Sequence, residues 1–136
     1  MNYNQFTVST GSRTELQDIT GNLKKIISKK NITNGICKVF IPHTTAAVTI
    51  NENADPNVIH DMKMLLDQKI PWNHSSYRHG EGNSAAHIKS SLIGESVEVI
   101  IDNGQLQLGT WQSVFFCEFD GPRTRKVYVK ILKINT

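Results

Sequence analysis

Hydrophobic positions along the chain follow two spacings, and the spacing changes mark the elements. Residues 6–10 and 14–18 read as short strands around the turn residues Gly11 and Ser12. Thr20 then stands where an N-cap belongs. Ile19, Leu23, Ile26 and Ile27 recur at helical spacing, with Lys24, Lys25, Lys29 and Lys30 covering the other side. The later lysines suit the negative end of the helix dipole. Asn34-Gly35 is a turn, residues 36–41 form a mostly buried strand stopped by Pro42, and residues 46–50 form the next strand.

A second helix starts at Asp55 as N-cap and Pro56 as first helical residue, where the missing N–H costs nothing. Val58, Ile59, Met62, Leu65 and Leu66 follow at helical spacing until Ile70-Pro71. Residues 72–82 lack periodicity and read as a polar loop. A third helix covers residues 83–93, with Ala85, Ile88 and Leu92 expected inward and Gly94 closing it. Beyond it come strands at 96–101, 105–108, 113–119 and 125–134, joined by turns at Asp102-Asn103-Gly104 and Asp120-Gly121-Pro122. In the last strand Arg125 shares a face with Val127, Val129 and Ile131, aimed at an apolar layer. Strands at both ends with helices between them predict an α+β domain spanning residues 1–136.

Composition narrows the function classes. Hydrophobic residues make up 38% of the 136, enough for a core and too many for a disordered tail. No apolar run approaches the roughly 18 residues of a spanning helix, so no membrane partner is expected. The first six residues carry neither a basic segment nor an apolar run, which predicts a cytoplasmic protein without a signal peptide. Cys37 and Cys117 lie in apolar strand-like segments and read as reduced, buried thiols. The net charge of +3 comes from 15 basic and 12 acidic residues. Basic residues gather at 13–38 and 120–136, without the interleaved aromatics of a nucleic-acid surface. No nucleic-acid partner is expected.

Three polar clusters remain as candidate chemistry: His43-Thr44-Thr45, then Asn51 to Asp55, then His79 to Asn83 followed by His87. Imidazoles with carboxylates suit a zinc-like divalent metal, and His43, His79 and His87 are the candidate ligands. His60 and His74 read as surface residues. Helix starts at Asp55 and Asn83 favour anions, although each residue also suffices as a plain cap. Arg123 and Arg125 add two-pronged contacts to a phosphate. Neither cysteine sits in an electropositive loop, no Gly-x-Ser-x-Gly elbow occurs, and no nucleotide-binding glycine loop is present.

Five ordered motifs now carry a resemblance: His43 to Ala47, Asn51 to Pro56, His79 to His87 with Gly82-Asn83, Leu108 to Gln112, and Glu118 to Arg123. Together they cover nearly the whole chain, and the sequence resembles the YjbQ-type family, whose members are named secondary thiamine-phosphate synthases. The resemblance implies a mixed, largely antiparallel sheet curled into a barrel-like shape, three helices and a homotrimer. It also implies one pocket that gathers the matched polar residues and binds a small phosphorylated molecule. The named activity joins a pyrimidine methyl diphosphate to a thiazole phosphate and releases pyrophosphate. Such a step calls for a hard cation such as Mg2+, while the histidines suit a softer metal. On this reading Glu52 and Glu81 are the catalytic carboxylates. Asn51, Asp55, Asn83, Trp111, Gln112 and Arg123 bind substrate. The alternatives are a metal-dependent hydrolase of a phosphorylated or carbonyl substrate, with Glu52 or Glu81 as general base, and a non-catalytic anion-binding accessory protein.

Overall fold

The computed structural model describes residues 1–135. Eleven elements follow one another. They are β1 (Asn4–Ser9), β2 (Glu15–Asp18), α1 (Thr20–Lys29), β3 (Gly35–Phe40), β4 (Ala46–Glu52), α2 (Pro56–Lys69), α3 (Ser84–Ile93), β5 (Ser96–Asp102), β6 (Gln105–Leu106), β7 (Gln112–Glu118) and β8 (Thr124–Lys133). Five strands pair in the order β1-β8-β3-β5-β6 and three in the order β2-β7-β4, every pairing antiparallel. The α+β class with three helices and a curled antiparallel sheet is as the sequence led us to expect.

Side-chain alternation explains where the core sits. Val48 and Phe116 point one way from the three-stranded sheet, toward Val39, Val99, Val127 and Val129 of the five-stranded sheet and Leu23 and Ile27 of α1. Their neighbours Ala47 and Cys117 point the other way and meet Phe119, Ala86 of α3 and Leu66 of α2. The small sheet is therefore covered on both faces, which is why β4 and β7 carry near-continuous apolar runs. Cys37 and Cys117 are free and buried, and burial pushes their thiols up to about 11 and about 12. Both are inert at neutral pH.

Two local expectations need correction. Thr20 is the first residue of α1 rather than its cap. Its N–H donates to Asp18 Oδ1 at 2.9 Å, and its hydroxyl accepts from the Val114 N–H at 2.9 Å, joining helix to β7. In α3 the inward face is Ala85, Ala86, Lys89 and Ser90, whereas Ile88 and Leu92 are exposed. Small residues let α3 lie close against β4. Lys89 is buried, and its ammonium bonds the Asp67 carboxylate of α2.

The two sheets meet through a buried ion pair. Glu118 ends β7 fully buried, and Arg125 opens β8 almost as deeply. Arg125 Nε and Nη2 donate to the two Glu118 oxygens at 2.9 and 2.5 Å. Thr10 Oγ1 donates to Glu118 Oε1 at 2.8 Å and the Asp120 N–H to Oε2 at 3.0 Å. Arg125 Nη2 also reaches Thr45 Oγ1 at 2.8 Å. Burial pushes the Glu118 carboxyl up, but the bonds from Arg125, Asp120 and Thr10 outweigh it and hold the group below the usual carboxylate range.

Removing one partner leaves a buried uncompensated charge. Arg125→Ala should therefore cost about 3–5 kcal/mol in urea unfolding, while replacing Glu118 and Arg125 together by leucine should cost less than either single change. The contribution of Glu118 is complete above the ordinary carboxylate range and is lost as pH falls through its lower folded value. A double variant no more stable than either single one would show that the pair acts by packing alone.

Candidate functional site

A cavity of about 710 Å³ opens at the end of the molecule where the buried ion pair lies. Three segments build it. The β3–β4 connection brings His43 and Thr45, the β7–β8 turn brings Asp120 and Arg123, and the loop before α3 brings His79 and Glu81. Asn83 and His87, four apart at the start of α3, complete the lining, with Arg125 and Glu95. The three histidines named from the sequence thus share one cavity with Glu81, Asn83 and Arg123.

Each side chain is held by a specific partner. His43 Nε2 accepts the Lys126 N–H of β8 at 2.9 Å, which leaves the ring proton on Nδ1. Burial and the Arg125 guanidinium lower its pKa, so the imidazole is neutral at pH 7. Asn83 Nδ2 donates to Asp120 Oδ2 at 2.9 Å, and that oxygen also accepts from Arg123 Nη2 at 3.0 Å. A second bond runs from Arg123 Nε to the Asp120 carbonyl at 2.9 Å. Asn83 stands at the N-cap of α3 without making a side-chain cap bond, and its Oδ1 is buried with no partner. A buried acceptor left without a donor costs about 1–3 kcal/mol. The rings of His79 and His87 lie edge to face, centroids 5.2 Å apart.

Among the described residues no group of three or more His, Cys, Asp or Glu is arranged to hold a metal ion. At His43 the Nε2 lone pair is engaged by the β8 backbone, which leaves Nδ1 as the ring nitrogen without a described partner.

The second cluster lies elsewhere. β4 runs away from the cavity, so Asn51 and Glu52 sit about 20 Å from Thr45 at some 3.3 Å per residue. There Glu52 pairs with Gln112 across β7, Gln112 Oε1 accepts the Gly109 N–H at 2.8 Å, and Trp111 is exposed. Asn51 Oδ1 accepts the Glu52 N–H at 2.7 Å. Asp55 caps α2 by accepting the Asn57 N–H at 2.9 Å. Within one chain the matched motifs therefore form two patches, not one. Thr45 of the first polar cluster lines the cavity with His43, and Asp120 and Glu95 join it without having been given a site role from the sequence. Asp120 carried a signal, since it lies in the matched Glu118 to Arg123 motif; Glu95 carried none.

An α+β fold of two antiparallel sheets, with a histidine- and carboxylate-lined cavity where they meet, defines the class of this protein. The chain belongs to the YjbQ family: the family model for UPF0047 protein YjbQ-like matches residues 4–134. It is 51% identical to UPF0047 protein YugU of Bacillus subtilis over 125 residues, covering 92% of this chain and 95% of that one. UPF0047 protein MJ1081 of Methanocaldococcus jannaschii is 52% identical over 130 residues, with 94% and 92% covered. A crystal structure of an uncharacterized conserved YjbQ/UPF0047 protein from Clostridium acetobutylicum superposes with a TM-score of 0.93 at 50% identity, over 95% of this chain and 99% of that one. No helix among the described residues is long and apolar enough to cross a membrane.

Neutral His43 gives a measurable consequence. Its imidazole resonance should titrate with a midpoint below the usual 6.5, and because its folded value is the lower one, its contribution to stability is present above the unfolded value and fades as pH falls below it. A midpoint at or above 6.5 would contradict this environment.

Proposed function

We propose that the cavity is the site of a small-molecule transferase of the secondary thiamine-phosphate synthase type. The observation that carries this reading is the mixed charge of the lining. Glu118 cancels Arg125 and Asp120 pairs with Arg123, which leaves Glu81 and Glu95 beside three imidazoles and the unpartnered Asn83 Oδ1. A bare anion is poorly served by such a lining. A diphosphate accompanied by a divalent ion, reacting through a centre that becomes positive, is well served.

The named reaction has that character. The thiazole ring nitrogen donates its lone pair to the methylene carbon of the pyrimidine methyl diphosphate, the carbon–oxygen bond breaks, and pyrophosphate leaves with the electron pair. No proton is needed for balance, and the ring nitrogen ends cationic. Glu81 and Glu95 oppose that positive charge, while Arg123 and the N-terminus of α3 receive the departing phosphates. Glu81 and Glu95 would hold a divalent ion, Mg2+ ahead of a zinc-like one, which would supply charge neutralisation for the diphosphate. Glu52, at the far end of β4, has no part in this step.

Incubation with both phosphorylated precursors and Mg2+ should yield thiamine phosphate and pyrophosphate in equal amounts, and Arg123→Ala should lower the rate by about 10²-fold. Protein purified without an affinity tag should hold less than stoichiometric zinc. Stoichiometric zinc lost on His87→Ala, together with hydrolysis of a phosphate ester and no thiamine phosphate, would favour the hydrolase instead. Binding without turnover of either kind would favour the accessory role.

Assembly into a homotrimer is part of the same proposal. α2 contains no fully buried residue, and Met64, Leu65, Leu92 and Trp111 are each about half exposed or more. Contact between copies would cover these side chains. Light scattering at micromolar concentration should give the mass of three chains; a stable monomer would remove this element.

A further inference from the structure

Beside the polar cavity lies a second one of about 520 Å³, and the two share His79 and His87. Its other walls are Tyr77, Arg78 and Ile88, with Ser76 and Ser84. Tyr77 is fixed by its hydroxyl, which donates to the Pro71 carbonyl at 2.8 Å, and by the His74 ring 5.1 Å away. Ile88 is exposed although sequence periodicity favours it inward, and no described contact of the core covers it. A phenol held in place and a branched aliphatic side chain are surfaces against which a flat ring packs.

We propose that this groove seats the flat ring of the substrate, an aryl or heteroaryl group joined through one methylene to a diphosphate held in the polar cavity. The inference rests on the transferase reading and adds to it where the ring goes. His79 and His87, common to both cavities, then flank the methylene carbon at which the bond breaks. The polar cavity alone does not distinguish one diphosphate ester from another. Selection for a ring falls to the groove, and Ile88 is its specificity-determining residue.

Two non-hydrolysable probes test this with Mg2+ present: the methyl and benzyl esters of methylenediphosphonate, measured by calorimetry against the wild-type protein. The benzyl ester should bind at least tenfold more tightly, and Ile88→Glu should collapse the ratio to within twofold while Ile88→Leu preserves it. Both substitutions fall on an exposed side chain, and circular dichroism reports whether the fold is kept. If the methyl ester binds and the benzyl ester gains nothing, the groove is not a ring site and the diphosphate reading stands. A benzyl advantage that survives Ile88→Glu puts the ring elsewhere and overturns the inference. If neither probe binds, the transferase reading itself fails and takes this inference with it.

Discussion

A carboxylate removed wholly from water must be compensated where it sits, and Glu118 is compensated by four donors drawn from three segments of the chain. Arg125 supplies two of its bonds, Thr10 and the Asp120 backbone the others. Because Glu118 belongs to the three-stranded sheet and Arg125 to the five-stranded one, the pair fixes how the two sheets abut. It also fixes the cavity, since Thr45 and Arg125 line it and Asp120 follows two residues after Glu118. Gly121 tightens the same corner. A Cβ there would lie 2.2 Å from the Ser12 carbonyl, so only glycine lets the β7–β8 turn pack against the β1–β2 connection.

What the sequence makes legible is what depends on near neighbours. Asp55-Pro56 starts α2 because capping is a matter of two or three residues, and Asn103-Gly104, both with positive φ, turn β5 into β6 for the same reason. Pairing over long separations is not legible in this way. The strands on either side of Gly11-Ser12 look like partners, yet β1 joins β8 and β2 joins β7, in different sheets. Likewise the β7–β8 turn carries the chain from one sheet to the other. The face of α3 is misleading for a different reason. Periodicity puts Ile88 and Leu92 inward with Ala85, and only Ala85 is buried, because close approach to β4 requires small side chains, and Lys89 is admitted because Asp67 meets its ammonium.

The site divides along the same line. His43, His79, His87, Glu81, Asn83 and Arg123 are brought together from the β3–β4 connection, the loop and first turn of α3, and the β7–β8 turn, a convergence set by long-range packing of which the Asn83–Asp120 bond is one part. Asn51, Glu52, Asp55, Trp111 and Gln112 share family motifs with them but stand at the other end of β4, a separation set by strand length. Which nitrogen of His43 faces the cavity is not legible either, because it is set by a backbone hydrogen bond from Lys126, 83 residues away in the chain.

The two arginines at the cavity separate stability from binding. Arg125 is buried in a pair whose disruption costs several kcal/mol. Arg123, two residues earlier, has a half-exposed side chain paired with Asp120, and such a surface pair adds at most about 1 kcal/mol to the fold. Arg123 lies in the turn before β8, outside the strand whose inward face carries Arg125 with Val127 and Val129, and so stays at the surface. Arg125 is therefore committed to the scaffold and is a poor candidate for contact with a ligand. Arg123 is held in orientation by two bonds to one aspartate while its remaining donors stay open to the cavity. A side chain so oriented loses little freedom when a phosphate arrives, which is why its replacement should be felt in turnover and not in the melting temperature.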